Sequence, residues 1–531
     1  MCNSIDLGEG MSVKNKVRPN SYYDSATLML ITNRMAEQLG AKNVAVMMAT
    51  DMNKDILQES DLLAQNGKDA TPNDLIFAAR GDDDAAVSAA ICKAEEALDN
   101  RSSHVSAAGF AEVRTLDSAL AKLPGANISV ISIPGQYARG EVMKSLDKGL
   151  HVLLFSDNVS VEDEIELKDY ALGKGLLMMG PDCGTAVINH TPLAFANSLD
   201  KGDIGIVAAS GTGLQETSVL ISRIGAGVTQ AIGTGGRDAT EKVGGRMMLA
   251  GIDALDADPN TKVILIVSKP PAMSVVARLS ERIGKIEKPV VICFLGDKGS
   301  IPEVKGATAV HTLEDAALTA VALSRGVDPS SLVLQESAEK VAGWLSAEGK
   351  RFSPSQKYIR GLYAGGTLCY ESILIARDVL SKIYTNTPVS PEEALNGQPP
   401  HGHTFLDLGD DEFTRGRPHP MIEPSLRNQW ITDQAEDEGV AVLLLDVVIG
   451  FGAHEDPAGV AAEAIVQAKE TAARAGRYLS VVASVCGSEG DYQGFQKQRR
   501  VLEDAGVVVL PSNAQAARFA VQLVSKLTDG K

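Results

Sequence analysis

Short aliphatic runs alternate with amphipathic stretches along nearly the whole chain. NVAVMMAT, NDLIFAAR, NISVISIPG, HVLLFSD, GLLMMGP, GDIGIVAASG, KVILIVSKP, KPVVICFLG, AVLLLDVVIG, YLSVVASVCG and GVVVLP are continuous apolar segments of strand length. A continuous run, unlike an alternating one, predicts a strand buried on both faces. Between such runs, ARGEVMKSLDKG and VEDEIELKDYALGKG carry apolar residues at i, i+3 and i+4 and end at glycine, the pattern of amphipathic helices. The alternation predicts a serial α/β chain built on parallel sheets. Two segments break the rhythm. Ser390 to His403, with Pro and Gly but no periodicity, reads as an inserted loop, and about Asp328 to Gln356, polar and helical in pattern, as an interdomain linker.

One pattern recurs. Gly205-Ile206-Val207-Ala208-Ala209-Ser210-Gly211-Thr212 is followed, after three residues, by Glu216, and Gly361-Leu362-Tyr363-Ala364-Gly365-Gly366-Thr367 by Glu371 at the same spacing. Each predicts a strand, a small-residue turn and a helix. Downstream, Gly233-Thr234-Gly235-Gly236-Arg237-Asp238 answers to Leu408-Gly409-Asp410-Asp411, VILIVSKPPA to VLLLDVVIGFG, and VVICFLG to VVASVCG. The order implies two copies of one α/β module.

Length and charge narrow the class. At roughly 150 residues per domain, 531 residues imply several domains rather than one. The net charge of −18 repels nucleic acid and anionic lipid, so neither is an expected partner. The six cysteines are scattered, with no CxxC and no histidine at zinc spacing, which fits neither a metal knot nor a disulfide framework and fits a reducing cytoplasm. No basic segment precedes an apolar run at the N-terminus, no stretch is long enough to span a membrane, and Met11 offers a second start, so the first ten residues are left out of the fold.

A strand that ends in small residues and opens a helix presents unpaired N–H groups and the positive end of the helix dipole, which bind an anion. Ser210, Gly211 and Thr212, with Gly365, Gly366 and Thr367, are candidates for phosphate, against the alternative of plain tight turns. Lys269, at the end of the strand VILIVS and before Pro270-Pro271, is a candidate cation for phosphate or carboxylate. His419, stiffened by Pro418 and Pro420 and flanked by Arg415, Arg417 and Arg427, suits a preorganised anion site or is an incidental surface histidine. His454 follows a buried strand and either faces a ligand or plays a structural part. Cys183, in Gly180-Pro181-Asp182-Cys183-Gly184-Thr185, is either a nucleophile or a packed small residue. The turn at Gly233 to Gly236 lacks the spacing of a dinucleotide fingerprint.

The run VISIPGQYARGEVMKSLDKGLHVLLFSDNVSVEDEIELKDYALGKGLLMMGPDCGT, with ASGTGLQE, GTGGRD, FLDLGDDEFTRGRPHPMIEPSLR and LLLDVVIGFGAHEDP, resembles the FdrA proteins, relatives of the CoA-binding and ligase domains of succinyl-CoA synthetase. The resemblance extends from Met11 to the C-terminus. It implies a small N-terminal α/β domain over 11–110, a Rossmann-like CoA-binding-type domain over 111–200 with Pro181, Asp182, Cys183 and Gly184 in its loop, and a first flavodoxin-like ligase-type domain over 201–327. A linker over 328–355 and a second such domain over 356–531 complete it. The phosphorylated histidine of the synthetase has no counterpart in the corresponding loop, Gly296 to Pro302, and Lys269 stands where its orienting glutamate would be; nor is there a nucleotide-grasp domain.

What the FdrA resemblance implies instead is a subunit of an oxamate carbamoyltransferase, which moves a carbamoyl group between oxalurate and phosphate. Phosphate is then the co-substrate, CoA an open second ligand, and the partners are a small carboxylate, further subunits of the complex and a second copy of the chain. On that reading the helix ends hold phosphate, His419 moves the proton with His454 in a lesser role, Lys269 stabilises developing charge, and Arg417 and Arg427 grip the substrate carboxylate. An acyl-CoA synthetase subunit and a non-catalytic scaffold or ligand-sensing subunit are the alternatives.

Overall fold

The computed structural model describes residues 12–21, 23, 28, 31, 32, 35, 44–81, 83–106, 113, 115–297, 299, 303–414 and 417–529. Met11, Arg415, Gly416 and most of the segment from Lys298 to Pro302 lie outside them. The chain divides into two units, Met1–Val113 with Asp411–Glu423, and Arg114–Asp410 with Pro424–Lys531.

In the first unit, strands β1 (Ser12–Arg18), β2 (Val44–Met48) and β3 (Leu75–Gly81) form an antiparallel sheet in the order β1-β3-β2. Leu75, Phe77 and Ala79 face Val87, Ile91, Ala94 and Leu98 of helix α1 (Asp84–Ser106), while Ile76 and Ala78 pack with Leu57 and Leu62 on the other side. The parallel sheet expected from the apolar runs is thus antiparallel here. Because β3 is covered on both faces, its run is continuous whatever the strand direction.

The second unit begins with α2 (Leu116–Lys122), β4 (Ile128–Ile131), α3 (Gly135–Asp147), β5 (His151–Leu154), α4 (Val161–Gly173) and β6 (Met178–Met179). Their strands make a parallel sheet, β4-β5-β6. The chain then leaves that sheet: β7 (Thr185–Ile188) and β8 (Thr191–Ala194) form a hairpin through Asn189 and His190, whose φ angles of 48° and 64° are those a two-residue hairpin turn requires. The hairpin joins the edge of the next sheet, so the change of sheet precedes the boundary expected at residue 200.

That next sheet takes β9 (Lys201–Ala208), β10 (Val228–Gly233), β11 (Val263–Ser268), β12 (Val290–Phe294) and β13 (Ala307–Val310), with α5 (Gly211–Arg223), α6 (Arg246–Ala257), α7 (Met273–Ile283) and α8 (Leu313–Arg325) between or after them. Helix α9 (Ala338–Gly349) lies in the linker. The last sheet takes β14 (Tyr358–Tyr363), β15 (Ile383–Thr385), β16 (His403–Asp407), β17 (Val440–Val448), β18 (Ser480–Cys486) and β19 (Val508–Leu510). Its helices are α10 (Gly366–Arg377), α11 (Ser425–Gln434), α12 (Pro457–Arg474), α13 (Phe495–Asp504) and α14 (Asn513–Asp529).

The two sheets run β13-β12-β11-β9-β10-β7-β8 and β15-β16-β14-β17-β18-β19. Their common parts, β10-β9-β11-β12-β13 and β16-β14-β17-β18-β19, are parallel and wound in the same order, 2-1-3-4-5, the flavodoxin-like arrangement. β11, β17 and β18 are buried at every position, as their unbroken apolar runs require. The modules interlock through the repeated glutamates. Glu371 on α10 accepts from the N–H of Leu313, which opens α8 of the other module (2.8 Å), and Glu216 on α5 accepts from the N–H of Asn513, which opens α14 (3.0 Å).

Candidate active site

In flavodoxin-like sheets the crevice for ligands lies between the carboxyl ends of the first and third strands. In the first module those strands are β9, which ends at Ala208 two residues before Ser210, and β11, which ends at Ser268 just before Lys269; in the second they are β14 and β17. The repeated turns after β9 and β14 face each other. Ser210 Oγ caps its helix by accepting from Gly213 N (3.0 Å) and lies 2.7 Å from Thr367 Oγ1, while Thr367 N donates to Thr212 Oγ1 at 3.2 Å. Glycine is needed for this approach: a Cβ on Gly365 would lie 3.1 Å from Thr212 Cγ2 and 2.9 Å from Asp446 Oδ2. The amides of Gly211, Thr212 and Gly366 open their helices and have no intrahelical acceptor. Gly211 is exposed, and Thr212 and Gly366 are half-buried.

Two carboxylates complete the surroundings. Asp446, fully buried in β17, accepts from the amides of Ala364 (2.8 Å) and Gly365 (2.7 Å). Arg427 Nη1 donates to its carbonyl at 2.7 Å and to its Oδ1 at 3.4 Å. Burial pushes the Asp446 carboxyl up, opposed by Arg427 and the two amides, and the same burial lowers Arg427. Arg427, expected to grip a substrate carboxylate, therefore grips one of the protein's own: it is buried on α11 and pairs with Asp446.

Asp407 closes β16 beside the start of α10, where a Cβ on Gly366 would come within 2.4 Å of its Oδ2. Its Oδ1 accepts from Gly409 N at 3.0 Å. Burial raises its carboxyl to about 7, with the charge of Lys269 as the main opposing influence. Lys269 itself is exposed at the carboxyl edge of β11 and reaches across to the second module, its ammonium 5.0 Å from the centre of the Tyr370 ring. Lys269 is also the charge that most opposes the rise of Asp407.

The other expected residues are placed differently. His419 and Arg417 belong to the segment Asp411–Glu423 of the first unit. There His419 Nδ1 accepts from Met421 N (3.2 Å) and its carbonyl from Ile422 N (2.8 Å), a tight turn, and Arg417 is exposed. His454 Nδ1 accepts from Asp456 N at 3.1 Å, and its carbonyl accepts from Gln493 Nε2 at 3.0 Å, so it shapes the loop that enters α12. Cys183 is buried, its thiol pushed up to about 12 by desolvation and directed at Thr185 O (3.5 Å), which leaves a packed residue and no nucleophile. The loop from Gly180 to Thr185 is the reason for glycine at 233 and 235: a Cβ on Gly233 would lie 2.7 Å from Cys183 Sγ, and one on Gly235 would collide with Pro181 O. Asp238, next to that turn, binds buried Lys168 (2.9 Å) and caps α6 through Met248 N (2.7 Å).

Asp407 and Asp446 line the second module's side of the site and Glu216 and Glu371 join its halves; the glutamates had a signal in their common spacing from the two threonines, and the aspartates a weaker one. A lone acid inside LLLDVVIG or at the end of HTFLD is the signal the carboxylates offered.

Comparison with known proteins follows the same division. A family model described as CoA-ligase matches residues 362–523, one described as CoA binding domain matches 200–296, and one described as AllF, heavy metal-associated domain, matches 11–114. The CoA-binding match falls on the module of β9 to β12 and not on 111–200. The uncharacterized protein YahF of Escherichia coli (strain K12) is 43% identical over 518 residues, 97% of this chain and 99% of that protein. The alpha subunit of the ADP-forming succinate–CoA ligase of Aquifex aeolicus (strain VF5) is 30% identical over 157 residues, which span 28% of this chain and 49% of that subunit. Among solved structures, PH0766 from Pyrococcus horikoshii OT3 is similar at a TM-score of 0.29 and 16% identity, over 76% of this chain and 84% of that one.

Proposed function

This chain belongs to the FdrA family, with YahF among its relatives, and from that premise we propose that it is the phosphate-binding subunit of a carbamoyltransferase acting on an oxalurate-like substrate. The observation that carries the reading is the pair of opposed helix ends, whose opening amides at Gly211, Thr212 and Gly366 have no intrahelical acceptor, with Lys269 and Asp407 close by. Two helix N-termini reinforce each other on one anion, and Lys269 adds a full charge.

Hydrogen phosphate seated there attacks the carbamoyl carbon. The new C–O bond gives carbamoyl phosphate, the C–N bond to oxamate breaks, and the proton that phosphate sheds ends on the oxamate nitrogen. Asp407 is suited to carry that proton, because a carboxyl with a pKa of about 7 is poised between accepting and donating at neutral pH. The N–H groups and Lys269 stabilise the charge that builds up on the carbamoyl oxygen. Arg427 acts as a positioning residue that fixes Asp446 under the turn, and His419, on the Asp411–Glu423 segment, is the second candidate for proton transfer.

The test is turnover of oxamate and carbamoyl phosphate by the chain with its partner subunits. Lys269→Met should reduce it by ~10² or more, and the Asp407→Asn and His419→Gln variants, compared side by side, identify the proton carrier. Full activity in all three would end this assignment. The match of 362–523 to the CoA-ligase model favours a second reading, an ADP-forming acyl-CoA ligase subunit. Incubation with radiolabelled ATP separates the two: the transferase reading expects no acid-labile phosphate on the chain, and stoichiometric labelling would replace it with the ligase.

A further inference from the structure

The fold family implies coenzyme A as a ligand, and the turns where its phosphates would sit do not fit it. We infer that this chain binds no coenzyme A, whichever reading of the paired turns holds. In doubly wound sheets a nucleotide lies where the strand order reverses, against a glycine turn and the N-terminus of the helix that follows. The sheet β4-β5-β6 has no such reversal. Its strands stand in chain order, and both connecting helices, α3 and α4, pack on one face through Ala138, Val142, Leu167 and Ala171. The other face packs through Leu153 and Met179 on the module of β9 to β12.

The strand ends are closed by the protein itself. After β4, Pro134 has no N–H to offer, Ile133 N donates to Ser156 Oγ at 2.9 Å, and a Cβ on Gly135 would collide with the carbonyls of Asp157 and Asn158. The glycine that could admit a diphosphate thus admits the loop after β5. That loop opens α4, which is capped by its own Ser160, accepting from Asp163 N at 3.1 Å, and carries Glu162, Asp163 and Glu164 in its first turn. These carboxylates already answer the positive end of the helix and repel a further anion. The cations nearby are engaged: Arg139 with Glu166 (2.6 Å), Lys168 with Glu164 (2.8 Å) and Asp238 (2.9 Å), and Arg237 with Glu164 (3.0 Å). After β10, Cys183 and Pro181 fill the space at Gly233 and Gly235. The paired turns serve one anion, and Gly365 and Gly366 there lie against the carboxyls of Asp446 and Asp407.

Calorimetric titration of the full chain with coenzyme A, and thermal unfolding in its presence, test this. A ligand at about a hundred times its Kd raises Tm measurably, and a single cooperative transition shows that the sample is folded. The expected result is no saturable heat and an unchanged Tm with coenzyme A at about 1 mM, a level that would saturate a site of ordinary cofactor affinity. Inorganic phosphate, titrated into the same sample, reports separately on the paired turns: a folded chain that binds neither ligand ends the reading of those turns and agrees with this inference. Saturable binding of coenzyme A by the chain alone would overturn it, and so would density for its diphosphate against Gly135 or Gly235 in soaked crystals.

Discussion

Asp407 shows how one residue can set both reactivity and pH response. Its carboxyl is raised to about 7 because it is buried at the end of β16, and Lys269 offsets only part of that. Asp407→Asn should lower turnover by ~10²–10⁴, the usual weight of a positioned acid or base, and should remove a limb of the pH–rate profile near 7. The effect on stability has the opposite sense to that of a salt-bridged carboxylate. Between the unfolded pKa, near 4, and the folded value, the native chain binds a proton that the unfolded chain does not, so stability falls as pH rises through that window. Thermal unfolding at pH 5 and pH 8 should therefore show a smaller difference in the Asn variant than in the native chain. Of the site, Ser210 to Thr212, Gly365 to Thr367 and Lys269 are legible in the sequence because strand, turn and helix are contiguous there. Asp446 is not, since the amides it binds lie 82 and 81 residues away.

Among elements, the repeat extends beyond its two turns. Glu216 and Glu371, on equivalent helices, each hold the first turn of the other module's last helix, and Asn513 also donates its side chain to Glu371 Oε2 at 2.8 Å. Burial raises both carboxyls, Glu371 to about 7. Glu371→Ala removes both acceptors and leaves the Leu313 N–H unpaired, which should cost about 2–3 kcal/mol in urea unfolding at pH 7. Glu371→Gln keeps one acceptor and should lie at least ~1 kcal/mol closer to the native chain. Equal stabilities would mean that the exchange does not join the modules. The element types were readable from apolar periodicity, but strand direction was not: β3 has the same unbroken run as β11, one in an antiparallel sheet and one in a parallel sheet.

At the scale of the whole chain, family and module order are legible, while the assignment of segments to units follows from contacts that no local pattern encodes. Residues 185–194 leave one sheet for the next, and Asp411–Glu423, the segment of His419, is grouped with the N-terminal unit although it is flanked by the second module. Among the described residues no helix is long and apolar enough to cross a membrane. The central claim is that two modules of one chain build a single phosphate site from their helix ends. Titration of inorganic phosphate into the full chain tests it most directly. Thr212→Val with Thr367→Val should weaken binding about tenfold by separating the two ends. Unchanged affinity in that double variant would contradict the claim.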